Sequence, residues 1–211
     1  MHIPSSATQE ISILSFQDAL KTSGSSGDYD PSLWLYVPDH YTEYRYILGT
    51  RGNRPLICIG VNPSTAAPGA LDNTLKSVER IARFNGFDSF IMFNLYAQRA
   101  TSPNDMDLTL NEMLHRENME AFRFILEQIS LESASLWAAW GSVIEKRAYL
   151  SHCAEDMIAI GENYGAAWFT AGPRSKQRMH PHHPLYLKSE TALDPFDDLK
   201  DYCRSLSRES R

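Results

Sequence analysis

Chemistry in this 211-residue sequence concentrates in four short polar stretches. The first is Gly60-Val61-Asn62-Pro63-Ser64-Thr65. Glycine allows a sharp exit or a close approach to a ligand, and proline fixes the backbone just after Asn62. An asparagine held there presents an amide with two donors and an acceptor, able to orient a water or hold the edge of a base. An ordinary Asn-Pro turn accounts for the residue equally well. The second stretch opens on Asn94, at the end of an apolar run, and continues Leu95-Tyr96-Ala97-Gln98-Arg99-Ala100-Thr101. A buried amide must be satisfied, so Asn94 either bonds to backbone or reads the donor–acceptor edge of a ligand. Arg99 either touches phosphate or pairs with Asp72 or Asp105.

The third stretch, Trp140-Gly141, fits core packing better than stacking on a ligand. The fourth, His180-Pro181-His182-His183-Pro184-Leu185-Tyr186, carries two His-Pro steps. A stiff backbone there suits an imidazole that donates to an oxygen on which negative charge develops. No cysteine, aspartate or glutamate stands at ligand spacing nearby, so no metal is expected. Arg174, Lys176, Arg178, His180, His182 and His183 fall within ten residues with no acid among them. They form either a local phosphate-binding patch or a solvated charged loop.

Other arrangements are absent. There is no GxxxxGK[ST], no GxSxG, no HExxH and no GxGxxG, which removes a P-loop, a nucleophile elbow, a zincin helix and a dinucleotide cofactor. Cys58, Cys153 and Cys203 cannot pair evenly and none lies in a CxxC, so a disulfide framework is not expected. No cofactor is expected.

The elements that must position these loops alternate. Leu56–Val61 and Phe90–Leu95 are continuous apolar runs of the kind buried on both faces. Leu136–Gly141 and Ala166–Thr170 are two further strands. Between them, Asp72 caps a helix with an apolar face at Leu75, Val78, Ile81, Ala82 and Phe84, ended by Asn85-Gly86. A long helix runs from about 108 to 129, with Met113, Met119, Phe122, Leu126 and Ile129 facing the core. Another runs from 143 to about 160, and Pro195–Leu206 closes the chain. Strands separated by helices predict a three-layer α/β/α sandwich around a mostly parallel four-stranded sheet. In such sheets ligands bind at the carboxyl ends of the strands, where the four polar stretches fall. Trp34–Leu48 suits one or two edge strands. Residues 1–30 read as a flexible extension around one short piece, Ile11–Leu20, and residues 31–211 as one domain.

Hydrophobic content of 43% and charged content of 22% are ordinary for a globular chain. The net charge of −6 argues against indiscriminate polyanion binding, so a nucleic-acid partner requires a local basic patch. No signal peptide and no membrane-length apolar run is visible. A cytoplasmic monomer is expected.

The ordered set Gly60-Val61-Asn62-Pro63-Ser64, Asn94 to Thr101, Ala139-Trp140-Gly141 and His183-Pro184-Leu185-Tyr186 resembles a bacterial family catalogued as a domain of unknown function, DUF1643. More distantly it resembles the uracil-DNA glycosylase superfamily, in particular its thymine/mismatch-specific branch. That resemblance implies a monofunctional DNA glycosylase that flips a damaged or modified pyrimidine out of double-stranded DNA and leaves an abasic site. Asn62 would position the attacking water and His183, or alternatively His180, would stabilise the departing base anion. Gly60, Val61, Pro63, Ser64, Asn94, Phe93, Tyr96 and Tyr186 would form the base pocket, with Asn94 reading the pyrimidine. Arg99, Arg174, Lys176, Arg178 and His180 would hold the DNA. Room around Ala66–Ala70 extends the expectation to a hypermodified phage cytosine, excised as a defence activity. Hydrolysis of free modified nucleotides or nucleosides, and catalytically silent nucleic-acid binding, are the alternatives.

Overall fold

The computed structural model describes residues 1–24, 27–129, 134–175 and 179–209. Its sheet has seven strands: β1 (Trp34–Val37), β2 (Ile47–Thr50), β3 (Pro55–Gly60), β4 (Ser89–Asn94), β5 (Ser135–Ala138), β6 (Ala167–Ala171) and β7 (Leu193–Pro195). They lie in the order β1-β2-β4-β3-β5-β6-β7. The four-stranded sheet expected from the sequence is thus corrected to seven. β4, β3, β5 and β6 pair in parallel, and β1, β2 and β7 extend the edges in antiparallel. β7 carries no signal in the sequence because three residues of exposed or half-buried edge have no periodicity.

The parallel strands are apolar on both sides because both faces are covered. Ile57, Ile59, Ile91, Phe93, Leu136 and Ala138 point into one core; Leu56, Cys58, Phe90, Met92 and Trp137 point into the other. The second core is roofed by one helix, α2 (Asn73–Phe84), through Leu75, Val78, Ile81 and Ala82. Asp72 Oδ1 accepts from Leu75 N at 2.9 Å to cap it, and Gly86 (φ +81°) follows its end. Phe84, expected on the buried face, is exposed. The first core is covered by α1 (Phe16–Thr22), α3 (Glu112–Ile129) and α4 (Tyr149–Asn163), with α5 (Leu199–Glu209) beyond. Asn111 Oδ1 starts α3 by accepting from the amides of Met113 and Leu114, four residues later than the expected start; Met113 is exposed. The helix expected from 143 to 160 is divided at Arg147, whose φ of −137° is not helical. Its guanidinium instead donates to the carbonyls of Asn104, Met106 and Asp107.

Part of residues 1–24 packs against the fold. Phe16 and Ala19 are fully buried in the first core, and Glu117 of α3 accepts from the Phe16 amide at 2.9 Å. Burying one phenyl ring contributes roughly 1.5–3 kcal/mol, enough to dock a short amphipathic piece. Further upstream, Thr8 is buried against Asp107 and the Tyr96 hydroxyl.

Among the parallel strands, the chain moves from β3 to β4 on one side and then to β5 on the other. The loops leaving β3 and β5 therefore diverge, and such a switch point opens a crevice at the carboxyl ends of the strands.

Candidate active site

A cavity of about 700 Å³ occupies that crevice, within the roughly 300–1,000 Å³ common for small-molecule sites. Gly60, Val61, Asn62 and Ser64 line it from the loop after β3, Met92 and Asn94 from β4, Gly141 from the loop after β5, and His183 and Tyr186 from the loop after β6. A larger cleft of about 860 Å³ lies at the opposite end of the sheet, lined by Leu20, Leu35, Ile125 and Ile129 with Arg51 and Arg54. Its described lining holds no histidine or carboxylate, and it sits at the amino ends of β3 and β5, so the carboxyl-end cavity is the candidate.

Asn94 is the most unusual residue in it. It is 1% exposed, yet among the described residues neither its Nδ2 nor its Oδ1 has a hydrogen-bond partner. Its main chain is held instead: Asn118 Nδ2, from α3, donates to the Asn94 carbonyl at 2.8 Å, and β4 pairs it with Gly60. A buried amide with both ends orphaned costs about 1–3 kcal/mol per unsatisfied group, and a donor–acceptor edge from a ligand would recover that cost. Gly60 makes the space. A Cβ there would lie 2.6 Å from Met92 Cε and 3.1 Å from Asn94 Oδ1.

Asn62 is tethered by one end. Its Nδ2 donates to the carbonyls of Pro63 (3.1 Å) and Ala100 (2.6 Å), joining the first polar loop to the second. Backbone bonds from Leu95, Tyr96 and Ala100 to Gly60, Val61 and Pro63 reinforce that joint. Asn62 is thus a staple between the two loops through Nδ2, and it also lines the cavity.

His183 stands at the other side. Its Nδ1 accepts from Leu185 N at 3.3 Å, which leaves Nε2 as the N–H donor of the neutral ring. Burial lowers its pKa below the usual 6.5, with Asp72 opposing. Gly141, beside His183, holds a left-handed backbone conformation (φ +60°) that L side chains rarely adopt. Trp140 is core, its Nε1 donating to the Tyr202 hydroxyl at 2.8 Å.

Because the folded ring resists protonation, the unfolded chain binds more protons below pH 6.5 than the folded one. Stability contributed around His183 is complete above 6.5 and is lost as pH falls through 6.5 toward the lowered value. The difference in unfolding midpoint between wild type and His183→Gln should accordingly be flat above that pH and change steadily below it. A difference independent of pH across about 5 to 8 would mean that the ring is not desolvated.

Several expected site residues lie elsewhere. Phe93 is buried edge-on against Phe122 in the first core, and Tyr96 is fully buried with its hydroxyl bonded to Thr8, Asp107 and the Asn111 amide. Neither lines the cavity. Tyr186 does, at the mouth, 80% exposed. Pro63 is buried beneath the loop. His180 is 2% exposed and uses both ring nitrogens, one with the Tyr202 hydroxyl (2.9 Å) and one with Glu145 (3.0 Å). Of the two histidines weighed for the donor, His183 alone keeps a nitrogen toward the cavity.

Two members of the expected basic patch, Arg174 and His180, are engaged inside the fold, while His182 and His183 line the cavity. Arg174 pairs with Asp198 at 2.6 Å and lies over the Phe196 ring, and Arg99 is 0% exposed. Arg99 donates to the carbonyls of Ser64 and Ala66 and to the Tyr36 hydroxyl, and stacks over Tyr41, pairing with neither Asp72 nor Asp105. Lys176 and Arg178 lie outside the described residues. Arg45, absent from the residues singled out by sequence, is 1% exposed, lines the cavity and donates to the Ala66 carbonyl. Its signal is a lone cation between two aromatics, Tyr44 and Tyr46.

Residues 45–185 match the model of a family of proteins of unknown function, DUF1643. The chain belongs to the DUF1643 family. No curated protein and no solved structure matches the chain. The matched span of this DUF1643 protein begins at Arg45 and takes in Gly60, Asn62, Asn94 and His183, so most of the cavity wall falls inside it. No helix among the described residues is long and apolar enough to cross a membrane. One trio with metal-ligand spacing exists among them, His115, His152 and Asp156 on α3 and α4, away from the cavity lining. Sequence spacing hides it because the ligands sit on different helices.

Proposed function

We propose that the cavity hydrolyses the N-glycosidic bond of a pyrimidine nucleotide, acting as a DNA glycosylase on a base flipped out of the duplex. The single observation that carries this reading is the orphaned amide of Asn94, a donor and an acceptor buried side by side on the wall of a ligand-sized cavity. The Watson–Crick edge of a pyrimidine presents the complementary pair, and an unstacked base fits where a duplex does not. Asn62 Oδ1 accepts from a water and aims it at C1′ of the sugar. The C1′–N bond breaks as that carbon becomes oxocarbenium-like. The base leaves with the bonding electrons, and His183 Nε2–H donates to the oxygen that gathers the charge. The water's hydroxyl remains on C1′ and its proton ends on the base. Asparagine cannot act as a general base, so leaving-group stabilisation carries most of the acceleration.

A second reading, release of the base from a free nucleotide or nucleoside, is favoured by the engagement of Arg174 and His180, two members of the expected phosphate-binding patch, inside the fold. The test is a panel of duplexes, single strands and free nucleotides bearing uracil, mismatched thymine and modified cytosines, with release followed by alkaline cleavage or by chromatography of the free base. Asn62→Ala should lower release roughly 10²-fold or more without moving substrate affinity. Release from duplexes with a steep salt dependence supports DNA; release confined to free nucleotides supports the second reading. No release from any substrate overturns both.

A further inference from the structure

Arg45 and Arg99 are left unused by the chemistry above. Both side chains are buried and both are held by neutral groups: the Ser64 and Ala66 carbonyls, the Tyr36 hydroxyl and, for Arg99, the face of the Tyr41 ring. The Nε of each has no hydrogen-bond partner among the described residues. Among the described residues neither forms an ion pair with a carboxylate, and the charge of Asp72 acts on both from a distance. Burial, and then the neighbouring Arg99, push the Arg45 pKa down to about 9. An uncompensated buried charge is strongly unfavourable, and here two stand together facing one acid. A loop staple for Ser64–Ala66 would not need cations, since any neutral donor satisfies a carbonyl. Arg45 lines the cavity beside Asn73 and Thr74 of the first turn of α2, whose N-terminus is capped by Asp72 in the same wall.

We propose that the Arg45 wall of the cavity is a subsite for a phosphate ester, gripped by the Arg45 guanidinium with Arg99 behind it as the second positive charge. The proposal rests on the base-excision reading for the rest of the ligand: a nucleotide whose base meets Asn94 carries its phosphate into the same cavity. A planar guanidinium matches two phosphate oxygens at once, which a lysine ammonium does not.

The test is calorimetric titration and thermal unfolding of the full chain with inorganic phosphate, with deoxyuridine 5′-monophosphate, and with a short single-stranded oligodeoxynucleotide. Chloride holds ionic strength constant, and acetate serves as the carboxylate control. Phosphate should raise the unfolding midpoint of the wild type where acetate does not. Arg45→Lys should weaken phosphate at least about tenfold, as expected when one charge-assisted hydrogen bond is lost, and Arg45→Met should abolish the response. If the methionine variant fails to fold, the lysine variant carries the comparison. Tighter binding of the monophosphate assigns the subsite to a monoester; tighter binding of the oligonucleotide assigns it to a diester. A wild type that responds to phosphate no more than to chloride, or variants that respond as the wild type does, overturns the proposal. Phosphate binding that depends on Arg45 without any base release would retain the subsite and sink the base-excision reading. Base release without a phosphate response would do the reverse.

Discussion

Asn94→Ala should cost base release at least about 10²-fold while leaving the protein as stable as the wild type to within about 1 kcal/mol. The two halves come from one geometry. Both amide atoms of Asn94 are buried without a partner among the described residues, a burden of about 1–3 kcal/mol for each unsatisfied group. Truncation to alanine removes that burden together with the packing of the amide, and the two changes oppose each other. The bonds that hold this turn of chain run through main-chain atoms, from Asn118 Nδ2 to the Asn94 carbonyl and from the Leu95 amide to the Gly60 carbonyl, so they survive the change. Loss of activity then reflects the missing donor–acceptor pair; a site that hydrogen-bonds its substrate discriminates far more strongly than one that only encloses it. Kinetics on the best substrate of the panel, beside denaturant unfolding, reads both quantities. Unchanged base release would remove Asn94 from the base pocket. A stability loss of roughly 3 kcal/mol or more would make it a structural residue whose partner is still to be found.

The placement of this site is more legible in the sequence than its membership. β3 to β6 are legible because strands covered on both faces must be apolar throughout, and the glycine, asparagine and histidine stretches follow them directly. Parity along β4 is a further signal. Met92 and Asn94 are two residues apart and share a face, so both line the cavity, while Phe93 between them faces the opposite core. Strand alternation alone is therefore enough to withdraw Phe93 from the base pocket. Tyr96 and Arg99 are not recoverable that way. Beyond the strand there is no fixed period, and what buries them is distant in sequence: Thr8 and Asp107 for the tyrosine, Tyr36 and Ser64 for the arginine. Long-range polar contacts leave no local pattern. The N-terminal segment is misleading for the same reason: its serine and glycine content suggests flexibility, while Phe16 and Thr8 do the docking.

Asp107→Ala should be among the most destabilising single substitutions outside the apolar cores, by roughly 3–5 kcal/mol. Its carboxylate accepts from the Thr8 amide and hydroxyl, from the Tyr96 hydroxyl at 3.0 Å and from Gln98 Nε2 at 3.0 Å, all buried. Alanine would strand these donors together, and each buried orphan costs about 1–3 kcal/mol. Gln98 Oε1 would still accept from the main-chain amide at 107, and Tyr96 would still accept from Asn111, so the network fails in part rather than wholly. For a chain of this length the loss corresponds to a fall in unfolding midpoint of about 10 °C. Asp107→Asn should fall between the two, since it keeps one acceptor but turns a donor toward other donors. The damage should also be directional. Thr8 is a buried tie between the first residues and the segment that follows Asn94, beside the His2–Thr101 bonds, so limited proteolysis of Asp107→Ala should cut ahead of Phe16 faster than in wild type. Phe16→Ala gives a control in which the same segment loosens without touching Tyr96. If Asp107→Ala costs less than about 1 kcal/mol and leaves the segment equally resistant, the docking of residues 1–24 is incidental. If it behaves as expected, those residues support the second polar loop from behind and belong to the architecture of the site.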